Sequence, residues 1–280
     1  MNTKLSFLIG ILFLIFGGQS LSYAQLVVDK GKIQLIVKPG EKITNTMNIT
    51  NNGDTELKVK VYTEDFIYSA PFEGTKEFFT AGTQKDSNAN WITVAPREVV
   101  LPPKGQKEIA YVINVPKDTQ GGSQGVIIFE NLPVTISQNP FLNKNQQKAG
   151  AGLSFILRVG TLVFLQAEDT VIKPIVDKFS FEGSILKFNF QNEGQAVLIT
   201  ETKYYVMDAD GNVADRGDAQ KKYLPMGQTT DLGLVLPEDM PAGEYTLVLS
   251  MDLGGYDTLV REVDFRKNSS GTMEITAVRE

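Results

Sequence analysis

The stretch Met47-Asn48-Ile49-Thr50-Asn51-Asn52-Gly53 closes one alternation of apolar and polar side chains, and a second alternation opens at Leu57. Asn and Gly tolerate the left-handed backbone that tight turns need, so an Asn-Asn-Gly triplet between two period-two runs reads as a turn between β-strands. Phe190-Gln191-Asn192-Glu193-Gly194 repeats the arrangement later in the chain. Two further turn signals follow each copy in the same order. Leu101-Pro102-Pro103-Lys104-Gly105 is matched by Leu224-Pro225-Met226-Gly227, and Val115-Pro116-Lys117-Asp118 by Leu236-Pro237-Glu238-Asp239. An apolar run then ends each series, at residues 125–129 and 245–249. A repeated series of this kind predicts two copies of one domain plan.

Outward from these turns the period stays close to two. Residues 33–37, 57–62, 108–115, 186–190, 203–207 and 245–251 alternate or run apolar between Gly, Asn, Asp or Pro, and no stretch keeps helical spacing with caps for three turns. Many short strands with frequent turn signals predict an all-β chain of two tandem immunoglobulin-like β-sandwich domains after a signal peptide. The expected boundaries are 1–24 for the signal peptide, 25–167 for the first sandwich, 168–174 for a linker, 175–266 for the second sandwich and 267–280 for a C-terminal tail. The first copy is longer than the second by about twenty residues between its Asn-Gly turn and its Pro-acidic turn. The insertion is placed around residues 67–90, where Phe72, Phe78 and Phe79 stand among Pro71, Gly74, Gly82 and Asp86. A long loop or extra hairpin is expected there, a usual place for binding specificity.

The N-terminus reads as an export signal. Lys4 precedes the apolar run 5–16, and Ser22-Tyr23-Ala24 gives a small-x-small cleavage site before Gln25. The run is shorter than the roughly twenty residues a bilayer span needs, and no later run is longer, so no membrane insertion of the exported chain is expected. With 27 basic and 33 acidic side chains the net charge is −6, which argues against nucleic acid as a partner. The sequence has no Cys and no His. That removes disulfides, Ser-His and Cys-His nucleophile pairs, an imidazole base and the ordinary zinc sites. The acids are scattered at turns and strand edges. The expectation is therefore a non-enzymatic protein with no catalytic residues, no cofactor and no metal. Asp208-Ala209-Asp210-Gly211-Asn212 with Asp215 is rich in oxygen ligands, but it lacks a distal Glu and flanking helices, so a hairpin turn is preferred to a calcium loop.

The order 37–42 (Val-Lys-Pro-Gly-Glu-Lys), Met47 to Gly53, Trp91-Ile92-Thr93-Val94-Ala95-Pro96, the Leu101 turn, and 125–129 running into Asn131-Leu132-Pro133 resembles the N-terminal domain of the periplasmic pilus-assembly chaperones. It also resembles the first domain of the WxL-protein-interacting family of cell surfaces. The resemblance covers roughly residues 26–166. It implies a periplasmic or cell-envelope location and a protein partner, a pilin-like subunit that pairs with the last strand of the first domain. Strand addition of this kind takes affinity from backbone hydrogen bonds and specificity from every second side chain. The matching strand is 153–166, and Leu153, Phe155, Leu157, Val159, Val163 and Leu165 form the face assigned to partner-strand binding. The resemblance also implies an Arg and a Lys that hold the subunit's terminal carboxylate. Those positions fall on Leu35 and Gly160, so the nearby Lys30, Lys32 and Arg158 are the candidates for a substitute anchor. The expected function is chaperone-like assembly of pilus or surface-fibre subunits by edge-strand pairing. The alternative is a cell-surface or envelope scaffold or adhesion protein that binds another surface protein or the cell wall.

Overall fold

The computed structural model describes residues 26–132 and 156–280. Residues 1–25, where the signal peptide is expected, and the segment 133–155, with Leu153 and Phe155, lie outside the described residues. The chain is all-β, and two sandwiches follow one another as expected. In the first, one sheet has the order β1 (Leu26–Val28), β3 (Lys42–Asn51), β8 (Gln106–Asn114), β6 (Ile92–Ala95). The facing sheet has the order β2 (Lys32–Val37), β10 (Arg158–Ala167), β9 (Gly122–Leu132), β4 (Leu57–Tyr68), β5 (Lys76–Thr80), with β7 (Glu98–Leu101) also paired to β4. Alternate side chains of the two sheets meet in a core that includes Met47, Ile49, Val59, Ile109, Ile113, Ile127 and Phe129. Trp91, in a single 3-10 turn (Ala89–Trp91), packs on this core.

The second sandwich pairs β11 (Pro174–Glu182), β12 (Ile185–Asn192) and β17 (Thr229–Val235) in one sheet. The other runs β15 (Val213–Asp218), β14 (Glu201–Asp208), β18 (Gly243–Asp252), β19 (Leu259–Lys267), β20 (Met273–Arg279), and a short pair joins β13 (Leu198–Ile199) to β16 (Tyr223–Leu224). Residues 273–279, read from sequence as part of a tail, are hydrogen-bonded to β19 as the edge strand of this sheet.

The repeated Asn-x-Gly turns share one internal lock. The Asn51 amide donates to the carbonyls of Thr55 (2.7 Å), Leu101 (3.2 Å) and Pro102 (3.0 Å), and its Oδ1 accepts from the Gly53 N–H at 2.9 Å. The Asn192 amide donates to Ala196 (2.8 Å) and Leu224 (3.0 Å), and its Oδ1 accepts from Gly194 at 3.0 Å. Both residues are fully buried. In each copy a side chain at the end of a strand thus staples its own turn to the distant Leu-Pro turn, and these buried carbonyls find partners without a further strand. The locked residues lie 50 apart in the first copy and 32 apart in the second, which places the insertion between them.

Much of the insertion becomes a hairpin of β4 and β5, closed by the pair Tyr68–Lys76. Its return path is organised by Asp65, a fully buried carboxylate. Asp65 Oδ2 accepts from the N–H groups of Thr83 (2.7 Å) and Gln84 (2.8 Å), while Oδ1 accepts from the Ser87 hydroxyl. The Asp208 stretch is the β14–β15 hairpin turn, with Asp208 Oδ1 accepting from the N–H groups of Asp210 (3.0 Å) and Asn212 (2.9 Å). Those backbone bonds, Asn212's first, hold the Asp208 carboxyl below the usual range.

Candidate functional site

Strand β10 is the junction on which the first sandwich turns. Along Arg158–Gln166 it pairs antiparallel with β9, and from Leu162 to Ala167 it also pairs parallel with β2. The parallel ladder starts where the Leu162 N–H meets the Gly31 carbonyl at 3.1 Å and the Thr161 hydroxyl meets the Lys30 carbonyl at 2.6 Å. Before that point β2 has not begun, and among the described residues no strand pairs with that side of Arg158 or Gly160. Leu157 accepts from Asn131 N–H at 2.9 Å, so the odd-numbered residues here bond towards β9. Antiparallel pairs alternate, so the N–H and C=O of Arg158 and Gly160 point to the open side.

The side chains divide by the same period. Thr161, Val163 and Leu165 are 0–2 % exposed between the sheets, and Val159 packs on the same core. Leu157 is 37 % exposed at the rim, and its neighbour Ile156 is 58 % exposed. One face of β10 is therefore domain core at its C-terminal end and accessible at its N-terminal end. Of the face assigned to partner-strand binding, Val163 and Leu165 are buried against the facing sheet beneath the β2 ladder, whereas Leu157 and Val159 lie at the open end. Leu153 and Phe155 lie outside the described residues.

The opposite face of β10 carries Arg158, Gly160 and Leu162 into a groove of about 360 Å³ with Val126 and Ile128 on its floor and Phe78 on its rim. Phe78, from β5, is 45 % exposed. Gly160 keeps the floor low, since a Cβ there would lie 2.9 Å from Val126 Cγ2. Any side chain at that position would have to displace Val126. The Arg158 guanidinium pairs with Glu64 and, at 3.6 Å, with Glu130, and lies 5.9 Å and 5.7 Å from the ring centres of Tyr62 and Phe78. Tyr62 donates its hydroxyl to Glu130 at 2.6 Å, and burial, followed by this bond, pushes the phenol up to about 12.

The three anchor candidates do not converge. Lys30 donates to the Thr46 carbonyl of β3 at 2.7 Å, which fixes it against the other sheet. Arg158 is neutralised by two glutamates. Lys32 sits opposite Leu162, exposed, with no ion pair among the described residues. Ile156, Gly160 and Phe78 are the site residues that sequence reasoning left unassigned. A glycine inside a strand pattern was the available signal, because it marks close approach of another group.

Among the described residues no cluster of three or more acidic side chains is placed to hold a metal ion, and no helix is long and apolar enough to cross a membrane. The fold and the half-open strand define an all-β protein of two tandem immunoglobulin-like sandwiches with an accessible apolar sheet edge. No family model matches the sequence, and no curated protein matches it. Among solved structures the chain is similar to the class 5 fimbriae chaperone CfaA, at 13% identity and a TM-score of 0.49 over 84% of this chain and 97% of that one. It is also similar to a chain of the chaperone–tip adhesin complex of CFA/I fimbriae (12% identity, TM-score 0.49, 85% and 97% covered). The Escherichia coli chaperone DraB gives 11% identity and a TM-score of 0.45, with 84% and 94% covered.

Proposed function

We propose that this chain is exported to the periplasm and acts without catalysis, as a chaperone-like protein that holds pilus or surface-fibre subunits by edge-strand pairing at β10. The observation that supports this reading is the open side of Arg158 and Gly160 beside the exposed Ile156 and Leu157. An apolar strand edge with unpaired N–H and C=O groups is a template for another strand, and folded proteins normally cover such edges. A partner strand laid there would continue the line that β2 occupies lower down. Its backbone would bond to Arg158 and Gly160, and the side chains of Leu157 and Val159 would share its apolar face.

The test isolates the backbone. Arg158→Pro deletes one N–H on the open side and leaves the β9 ladder intact, because Pro is tolerated where the N–H faces away from the sheet. Arg158→Ala removes the side chain alone. In affinity capture from the native envelope, the wild type is expected to retain a fibre subunit in a one-to-one complex by light scattering. Arg158→Ala should keep most of it and Arg158→Pro should lose it. Equal capture by both variants, or recovery of cell-wall material alone, would sink the proposal, and the second outcome would favour the scaffold alternative.

A further inference from the structure

We infer that the tip of the β4–β5 hairpin is an interdomain clasp that makes the two sandwiches one cooperative body. The loop from Ser69 to Thr75 leaves the first sandwich and ends in the core of the second. Phe72 is 8 % exposed and belongs to the same buried cluster as Phe188, Leu224 and Leu249. It holds a left-handed backbone (φ 62°), unfavourable for a side chain of its size and sustained only where the surroundings hold it. What holds it is the other domain. The Tyr223 N–H donates to the Phe72 carbonyl at 2.7 Å. The Lys222 ammonium, on a residue 5 % exposed, donates to the Pro71 carbonyl at 3.1 Å and to Glu73 Oε1 at 2.8 Å. The Tyr68 and Tyr223 rings stack at 4.8 Å, and a Cβ at Gly74 would come within 3.1 Å of Tyr223.

The receiving end is rigid. Tyr223 and Leu224 form β16, and the Leu224 carbonyl is the one stapled by Asn192. Lys222 is itself tied to Thr200, whose hydroxyl accepts the Lys222 N–H at 3.0 Å. The insertion that distinguishes the first copy thus grips the second at its turn lock. With its ammonium on two acceptors of the tip, Lys222 is buried only while the joint is closed, so opening would break both bonds and rehydrate the cation. A second attachment lies elsewhere along the seam. The Gly122 N–H donates to the Gln195 carbonyl at 2.6 Å, and the Tyr256 hydroxyl to Gln166 at 2.8 Å. A single linker leaves rotation between domains, whereas two further attachments remove it. The insertion's partner is the same chain, in place of an external ligand.

Scanning calorimetry and small-angle scattering of the full chain test the clasp. The unaltered protein is expected to unfold in one transition. Replacing residues 69–75 by Asn-Gly keeps the β4–β5 pairs and removes the tip, and should give two transitions with a broader distribution of interdomain distances. Tyr223→Ala, which removes the stack without shortening the hairpin, should separate the transitions in the same sense, and it serves if the shortened hairpin does not fold. Gln34→Ala, at the weak 3.4 Å contact with Gly254, should leave a single transition. If both clasp variants keep one transition and an unchanged scattering curve, the inference is overturned.

Discussion

In the first sandwich Asn51 staples its turn to Leu101, and in the second Asn192 staples its turn to Leu224, through the same atoms and with both amides fully buried. The edges of the two copies have diverged. The second sandwich ends its five-stranded sheet with β15, Val213-Ala214-Asp215-Arg216-Gly217-Asp218, and with β20, where Arg279 pairs with Glu262 and Asp264. Charged edges of this kind resist pairing with other chains. In the first sandwich, among the described residues, no strand covers the outer side of the N-terminal half of β10 beside Ile156 and Leu157. A shared internal lock therefore supports two unlike exteriors, one edged by charged side chains and one with apolar side chains exposed beside it.

The largest expected effect separates the two ends of β10. Leu165→Ala empties a core position and should lower stability by about 2–5 kcal/mol, while Leu157→Ala at the rim should stay within about 1 kcal/mol in urea unfolding. Partner capture should respond in the opposite order, with the rim variant weakened at full stability. Similar losses of stability at both positions would break the division between core and docking edge.

The shared lock gives the next effect. Asn51→Ala and Asn192→Ala each leave buried carbonyls without their donor and should cost about 1–3 kcal/mol apiece. Comparable losses in the two single variants would confirm that the copies are built alike. A loss confined to one of them would show that the hydrogen bonds match in geometry but not in weight.

The smallest effect is in titration. Each copy sets a tyrosine against a carboxylate: the half-buried Tyr62 on Glu130 at 2.6 Å, and the buried Tyr204 on Asp215 at 3.1 Å. In both, burial first and the hydrogen bond second push the phenol from 10.0 to about 12. A folded value above the unfolded one means a stabilising contribution that is complete below pH 10 and is lost as pH rises through about 12. Ultraviolet titration of phenolate should therefore show late ionisation that Tyr62→Phe and Tyr204→Phe each reduce. Ionisation of all tyrosines together near 10 would remove this parallel.

Much of this was legible in the linear chain. The repeated turns, the strand periods and the added length of the first copy follow from local chemistry, since Asn-Gly turns and alternating side chains act over a few residues. The locking role of Asn51 was hidden because its partner Leu101 is 50 residues away. The insertion was recognisable as an extra hairpin but not as a clasp, because Lys222 and Tyr223, which receive it, lie about 150 residues on.

The sequence by itself determined the all-β class, the duplicated plan and the apolar character of both faces of β10. Only the tertiary structure decided which parts of those faces are covered. A period of two defines two faces without saying what packs on either, and a strand apolar on both sides reads alike whether central or at an edge. Here β2 begins at Lys32 and covers β10 only from Leu162 onward, and that register of two strands more than a hundred residues apart creates the open edge.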